Sequence, residues 1–154
     1  MPDPRWARSS DLLRHGRRSI IGQVYVLTTT TCQRRRRFEC GATAGCVSSQ
    51  FEELDRQRLV QSLAWVVMPD HVHWMLQLRA SELSGIARRF KSSSALALNR
   101  LVGRRGVVWQ PGYFDHAVRA EESLHRQALY ILGNPIRAGL AREIGQYPYA
   151  WSIW

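Results

Sequence analysis

His71 and His73 stand one residue apart in VVMPDHVHWMLQL, residues 66 to 78. The surrounding residues read as a β-hairpin, and in a strand positions i and i+2 share a face, so the two imidazoles project in parallel. Such a pair can hold a metal ion; a strand histidine can equally be a hydrogen-bonded residue with no further task. A second group lies in AEESLHRQALYILGNP, residues 120 to 135, where Tyr130 and Asn134 are one helical turn apart. Leu124, Ala128, Ile131 and Leu132 recur at i, i+4, i+7 and i+8 and form the apolar stripe of that helix. Tyr130 falls nearly opposite the stripe, beside Ser123, Arg126, Gln127 and Asn134. A surface tyrosine packed edge-on is the structural alternative, and Asn134 before Pro135 is also a common way to end one helix and cap the next. Together the pieces suggest a reaction. A metal held by two imidazoles and an amide oxygen polarises a phosphate, and the tyrosine attacks phosphorus as a covalent nucleophile.

These side chains need elements to position them. Val24 to Thr31, dense in β-branched and aromatic residues, reads as a first strand. A loop with four consecutive arginines, Arg34 to Arg37, follows, and Val47, Phe51, Leu54 and Leu59 mark a helix over Val47 to Gln61. Leu63 to Met68 is a buried strand, Pro69 and Asp70 make a turn, and His71 to Leu78 returns as its partner. In that strand His71, His73, Met75 and Gln77 share one face; Val72, Trp74, Leu76 and Leu78 share the other, wholly apolar one. Ser81 is placed to cap the next helix, with Glu82 in its first turn and Leu83, Ile86, Phe90, Ala97 and Leu101 as its buried stripe. Arg88, Arg89, Lys91 and Arg100 give that helix a basic side. Gly103 to Gly106 interrupts the chain, VVWQPGYFDHAVR supplies a short strand after a turn at Pro111 and Gly112, and Glu121 begins the last clear helix. No repeat or low-complexity linker is present.

The 154 residues carry 22 Lys and Arg against 12 Asp and Glu, a formal charge of +10. That excess favours polyanionic partners, nucleic acid first, although a charge run is also an ordinary solvated face. The length suits one domain with its own core. No apolar run reaches the ~20 residues that span a bilayer, and the Arg-rich start lacks the apolar segment of a signal peptide, so a cytosolic protein without a membrane partner is expected. Cys32, Cys40 and Cys46 have neither zinc-site spacing nor an even count, which suggests reduced structural thiols.

MPDHVHWMLQL resembles the MP-x-HVH segment of the IS200-like single-tyrosine transposases of the HUH class. RRFKSSSALALNR at 88 to 100, WQPGYFDHAVR at 109 to 119 and YILGNPIRAGLA at 130 to 141 are similar, in the same order, to the REP-associated tyrosine transposases. The likeness covers roughly residues 17 to 150. It implies an α+β, ferredoxin-like antiparallel sheet with helices packed on it, in one domain: a basic arm over 1–19 and a catalytic core over 20–150. It further implies His71 and His73 as metal ligands, Asn134 as the third ligand and Tyr130 as the nucleophile. Members cut single-stranded DNA at or beside repetitive extragenic palindromes, leaving a 5′-phosphotyrosine and a free 3′-hydroxyl. Mn²⁺ suits imidazole and amide ligands, and Mg²⁺ suits the site once DNA oxygens complete the shell. The partner is then a palindromic single-stranded hairpin in a bacterial cytoplasm. REP-associated members are expected to act as monomers, with the dimers of IS200-like relatives as the alternative. Arg88, Arg89 and Lys91 are candidates for phosphate contact, Arg126 for DNA contact and for aiding tyrosine deprotonation, and Asp115 and His116 for contact with DNA or support of the metal ligands. Trp109, Tyr113 and Phe114 are candidates for base stacking, with core burial the better reading for at least two of them. Two other classes remain open: a phosphodiesterase that activates water at the histidine pair, and a non-catalytic hairpin-binding module.

Overall fold

The β-branched run Val24–Thr30 forms strand β1, and its alternation sends Tyr25 and Leu27 to one face and Val24, Val26 and Thr28 to the other. This is a computed structural model describing residues 19–119 and 123–154. The expected basic arm, apart from Ser19, lies outside the described residues, as does the expected helix start at Glu121. After β1 come helix α1 (Gly41–Arg56), strands β2 (Val60–Val67) and β3 (His71–Leu78), helix α2 (Leu83–Val102) and strand β4 (Phe114–Ala117). Helix α3 (Leu124–Leu132), the single turn α4 (Asn134–Arg137) and strand β5 (Ala150–Ser152) complete the chain.

The strands make one five-stranded antiparallel sheet in the order β4-β1-β3-β2-β5. β1 and β2 are joined through α1 with β3 inserted between them, which gives the ferredoxin-like α+β arrangement. β5 extends the β2 edge. The histidine strand β3 is therefore the centre of the sheet, paired along both edges.

On one face α1 and α2 bury Val72, Trp74, Leu76 and Leu78 together with Phe51, Phe90 and Trp109. Phe51 stacks on Phe90 with centroids 5.0 Å apart and tilts against Trp74 at 4.7 Å. The indole N–H groups within this layer are satisfied: Trp74 Nε1 donates to Ser62 Oγ and Trp109 Nε1 to Ser94 Oγ, each at 2.9 Å. The other face holds a smaller cluster, in which Val24, Val26, Val66 and Met75 pack under Ala128 and Ile131 of α3.

Several expected boundaries move. α1 begins before Val47 because Ala44, Val47, Phe51 and Leu54 already form its buried stripe. It ends at Arg56, before Arg58 turns to φ +59°, so residues expected as helix start β2 at Val60 instead. Ser81 does not cap α2: its φ of +68° lies outside the extended conformation that an N-cap adopts, and Ser19 Oγ accepts from Leu83 N at 2.9 Å in its place. The α2 stripe continues from Phe90 through Ser94 and Leu98, a strict i+4 series that leaves Ala97 at its margin and Leu101 52% exposed. Leu132 is only half-buried. The turn at Pro111 and Gly112 is present, with Gly112 at φ +74°. Among the described residues no helix is long and apolar enough to cross a membrane.

Candidate active site

Because β1 and β3 pair with Thr28 opposite His73, the hydroxyl and the imidazole meet on the same face, with Thr28 Oγ1 2.9 Å from His73 Nδ1. His73 is largely buried there. Burial, with His71 and Arg137 adding to it, lowers its pKa to about 4. The ring is neutral at physiological pH, the state a metal ligand must have. His71 is held differently. Its Nδ1 lies 2.7 Å from Asp70 Oδ1, and Arg34 Nε donates to Asp70 Oδ2 at 3.1 Å. Burial alone would raise the Asp70 carboxyl, but His71 and Arg34 outweigh it and hold the group below the usual carboxylate range.

Both Nδ1 atoms are thus engaged by orienting groups, which leaves each Nε2 as the free donor atom. The rings are 5.0 Å apart, edge to face. Histidines that ligate metals are commonly braced in this way, through the nitrogen that does not bind. Among the described residues no three His, Cys, Asp or Glu side chains gather at one point. A cation here would rest on two imidazoles, an amide and oxygens of its substrate, a donor set that fits Mn²⁺ or Mg²⁺.

Asn134 borders a cleft with His73, whereas His71 is not among the residues that line it. α3 lies across the His73 face, and a cleft of about 230 Å³ between helix and sheet is lined by His73, Thr28, Gln127, Tyr130 and Asn134, with Phe114, Asp115 and His116 from β4. Asn134 Nδ2 donates to Ile131 O at 2.9 Å, so the amide NH₂ is used on the end of α3 and Oδ1 is the atom left for a ligand. The N-cap position of α4 is Gly133, so Asn134 is the first residue of that turn rather than its cap. A larger cleft, about 500 Å³, runs along the far side of β4 from Ser19 and Tyr25 to Arg119; it contains neither histidine of the pair, and His116 and Asp115 border both clefts.

Five tyrosines compete for the nucleophile's role. Tyr25 is in the core and its hydroxyl accepts from Ile20 N. Tyr147 donates to Val67 O at 2.7 Å, and burial, with Tyr149 adding to it, pushes its pKa up to about 12. Tyr113 and Tyr149 are half-buried against the core. Tyr130 is 63% exposed and borders the cleft.

The remaining candidates divide by layer. His116 is opposite Val26 on the β1–β4 ladder and so shares the histidine face. Arg126 lies exposed on α3, one turn before Tyr130. Arg88 and Arg89 are exposed on α2, across the sheet from the histidines, and Arg89 also donates to Gln57 Oε1 at 2.8 Å. Lys91 is half-buried, with Nζ donating to Gln110 O and Gly112 O, so it ties α2 to the turn before β4. Trp109 is core, Tyr113 half-buried, and Phe114, 42% exposed, borders the cleft.

Sequence reasoning did not single out Thr28 or Arg137, named Gln127 only as a neighbour of Tyr130, and read Asp70 only as a turn residue. Arg137 is the cation that stacks on Tyr130, with its guanidinium carbon 4.2 Å from the ring centroid. Its signal was present as the i, i+7 spacing from Tyr130. The Asn-Pro pair reads as a break, whereas Gly133 keeps helical angles (φ −78°, ψ −10°) and carries α3 into α4 on one course.

Residues 21–133 match the family described as transposase IS200-like. An Escherichia coli K12 REP-associated tyrosine transposase is 28% identical over 100 residues, covering 64% of this chain and 58% of that protein. A Haemophilus influenzae protein provisionally given the same description is 24% identical over 101 residues, covering 58% of this chain and 57% of its own. The chain thus spans less than two thirds of the curated relatives it matches. A solved REP-associated tyrosine transposase bound to a REP hairpin shares the fold, with a TM-score of 0.72 at 24% identity over 87% of this chain and 79% of that one.

Proposed function

The chain belongs to the IS200-like transposase family, and from that premise we propose that it is a metal-dependent single-stranded DNA endonuclease and strand transferase that acts on REP-type palindromic hairpins through a 5′-phosphotyrosine. The names of its relatives support the substrate class. One observation carries the chemistry: Tyr130, the exposed tyrosine among five, shares a cleft with His73 and Asn134.

In this reading His71 and His73, through Nε2, and Asn134, through Oδ1, hold a divalent cation that withdraws charge from the scissile phosphate when bound. Thr28 and Asp70 keep the two imidazoles in the rotamer and tautomer that present Nε2. Tyr130 gives up its phenolic proton and Oη bonds to phosphorus. The phosphorus–O3′ bond breaks, and the departing oxygen takes up a proton as a 3′-hydroxyl. The phosphotyrosyl ester retains the energy of the cut diester, so a 3′-hydroxyl can reverse the step and join strands without a nucleotide cofactor. Phe114 and His116, on the cleft wall, contact the single strand. Arg88 and Arg89, on the helical layer, engage the phosphates of the hairpin stem rather than the scissile one.

The test is incubation with labelled palindromic single strands and Mn²⁺ or Mg²⁺, followed by a search for a denaturant-stable adduct mapped by mass spectrometry. An adduct on Tyr130 is expected. Cleavage without an adduct would favour activated water at the histidine pair, and hairpin binding without cleavage a non-catalytic module.

A further inference from the structure

Arg137 is exposed and contributes nothing to either core cluster, yet its position is closely determined. Its guanidinium carbon lies over the Tyr130 ring, 4.2 Å from the centroid, and Nη2 donates to Tyr130 O at 2.5 Å. Among the described residues no carboxylate pairs with it.

Gly133 supplies an independent sign. Its φ of −78° is open to any residue, so backbone conformation does not explain a glycine there. What a side chain would meet is Arg137: a Cβ built on Gly133 would lie 2.7 Å from Nη1. The missing side chain is the room into which the guanidinium folds back over the tyrosine.

We propose that Arg137 is a catalytic residue of the transesterification, one that binds a non-bridging oxygen of the scissile phosphate while stacked on the attacking tyrosine. The inference rests on the phosphotyrosine reading above. A guanidinium suits the task because its π face and its N–H edge act independently. The ring occupies the face, one N–H the carbonyl, and the remaining donors can fork onto phosphate oxygens. As the bond from Oη to phosphorus forms and the bond to O3′ breaks, Arg137 neither gives nor takes a proton. It donates hydrogen bonds to the oxygens that carry the charge, from a position fixed relative to the nucleophile.

Single-turnover adduct formation, hairpin affinity and Mn²⁺ affinity, measured for the parent, Arg137→Ala, Arg137→Lys and Gly133→Ala, test this. Removal of a preorganised donor to a reacting oxygen should slow Arg137→Ala by about 100-fold, with hairpin and Mn²⁺ affinities within about threefold of the parent. Added guanidinium ion should restore part of that rate. Arg137→Lys should stay nearer Ala than Arg, since an ammonium neither stacks nor forks. Gly133→Ala should slow the same step by displacing the guanidinium. An Arg137→Ala rate within about threefold of the parent would overturn the assignment, and so would a loss of hairpin affinity as large as the loss of rate. Failure of the underlying reading looks different: the parent forms no adduct, or the adduct persists in Tyr130→Phe, and the role of Arg137 falls with it.

Discussion

Trp74 and His73 are neighbours in one strand and live in different environments. Trp74 is fully buried among Phe51 and Phe90, with its one polar atom bonded to Ser62. His73 faces a cleft, with one nitrogen bonded to Thr28 and the other open to a ligand. On the Trp74 side two long helices cover the sheet and interlocked aromatic rings fill the layer. On the His73 side the nine-residue α3 covers less of the sheet, and the apolar cluster stops at Met75 and Ile131. The site begins where that cluster ends. A densely packed face can thus fix the backbone from which the reactive face projects, so precise placement of the site does not require every site residue to be buried.

Substitutions can separate the two faces, and the largest expected effect is at Tyr130. Tyr130→Phe removes one exposed hydroxyl, so denaturant midpoints should match the parent while cleavage and adduct both vanish; survival of the adduct would move the nucleophile elsewhere. Next is a contrast across the sheet. Phe51→Ala should cost about 3–5 kcal/mol in unfolding experiments, the usual range for an aromatic core truncation, and leave Mn²⁺ affinity intact in the folded fraction. His73→Ala should do the reverse: calorimetry should show no Mn²⁺ binding, with stability lowered by only about 1 kcal/mol. A smaller effect is expected one hydrogen bond away from the proposed metal ligands. Asp70→Asn leaves His71 less firmly aimed and releases Arg34, and should weaken Mn²⁺ binding by about tenfold. The smallest effect is expected across the sheet, where reversing the charges of Arg88 and Arg89 should lower the salt slope of hairpin binding by about one unit per lost phosphate contact and leave the adduct rate at saturation unchanged. An unchanged slope would confine the DNA to the histidine face.

Alternation alone separated the apolar row from the histidine row, since Val72, Trp74, Leu76 and Leu78 follow a period of two without exception. Helical spacing likewise turned Tyr130 away from Ala128 and Ile131. The partners that brace the site were not legible, because they depend on register. Nothing in VYVLTTT says that Thr28, rather than Thr30, comes opposite His73. Asp70 occupied a turn, a position that already accounts for an aspartate, and this hid its bond to His71. Arg126 drew attention as the cation one turn before Tyr130, whereas Arg137 reached the ring because Gly133 did not break the helical course. Ser81 misled for a related reason: composition marks where a cap is wanted but not which chain segment supplies it, and Ser19 arrives from before β1.

The place of His73 on the central strand has a consequence for inactivation. Side chains alternate strictly along β3, so a slip of one residue against β1 would carry the imidazole into the aromatic layer and expel Trp74 into the cleft. Partial displacements of that kind have no stable resting point. The histidine pair is therefore either correctly aimed or absent together with the fold, and on heating, loss of the proposed Mn²⁺ binding should coincide with exposure of the Trp74 indole rather than precede it.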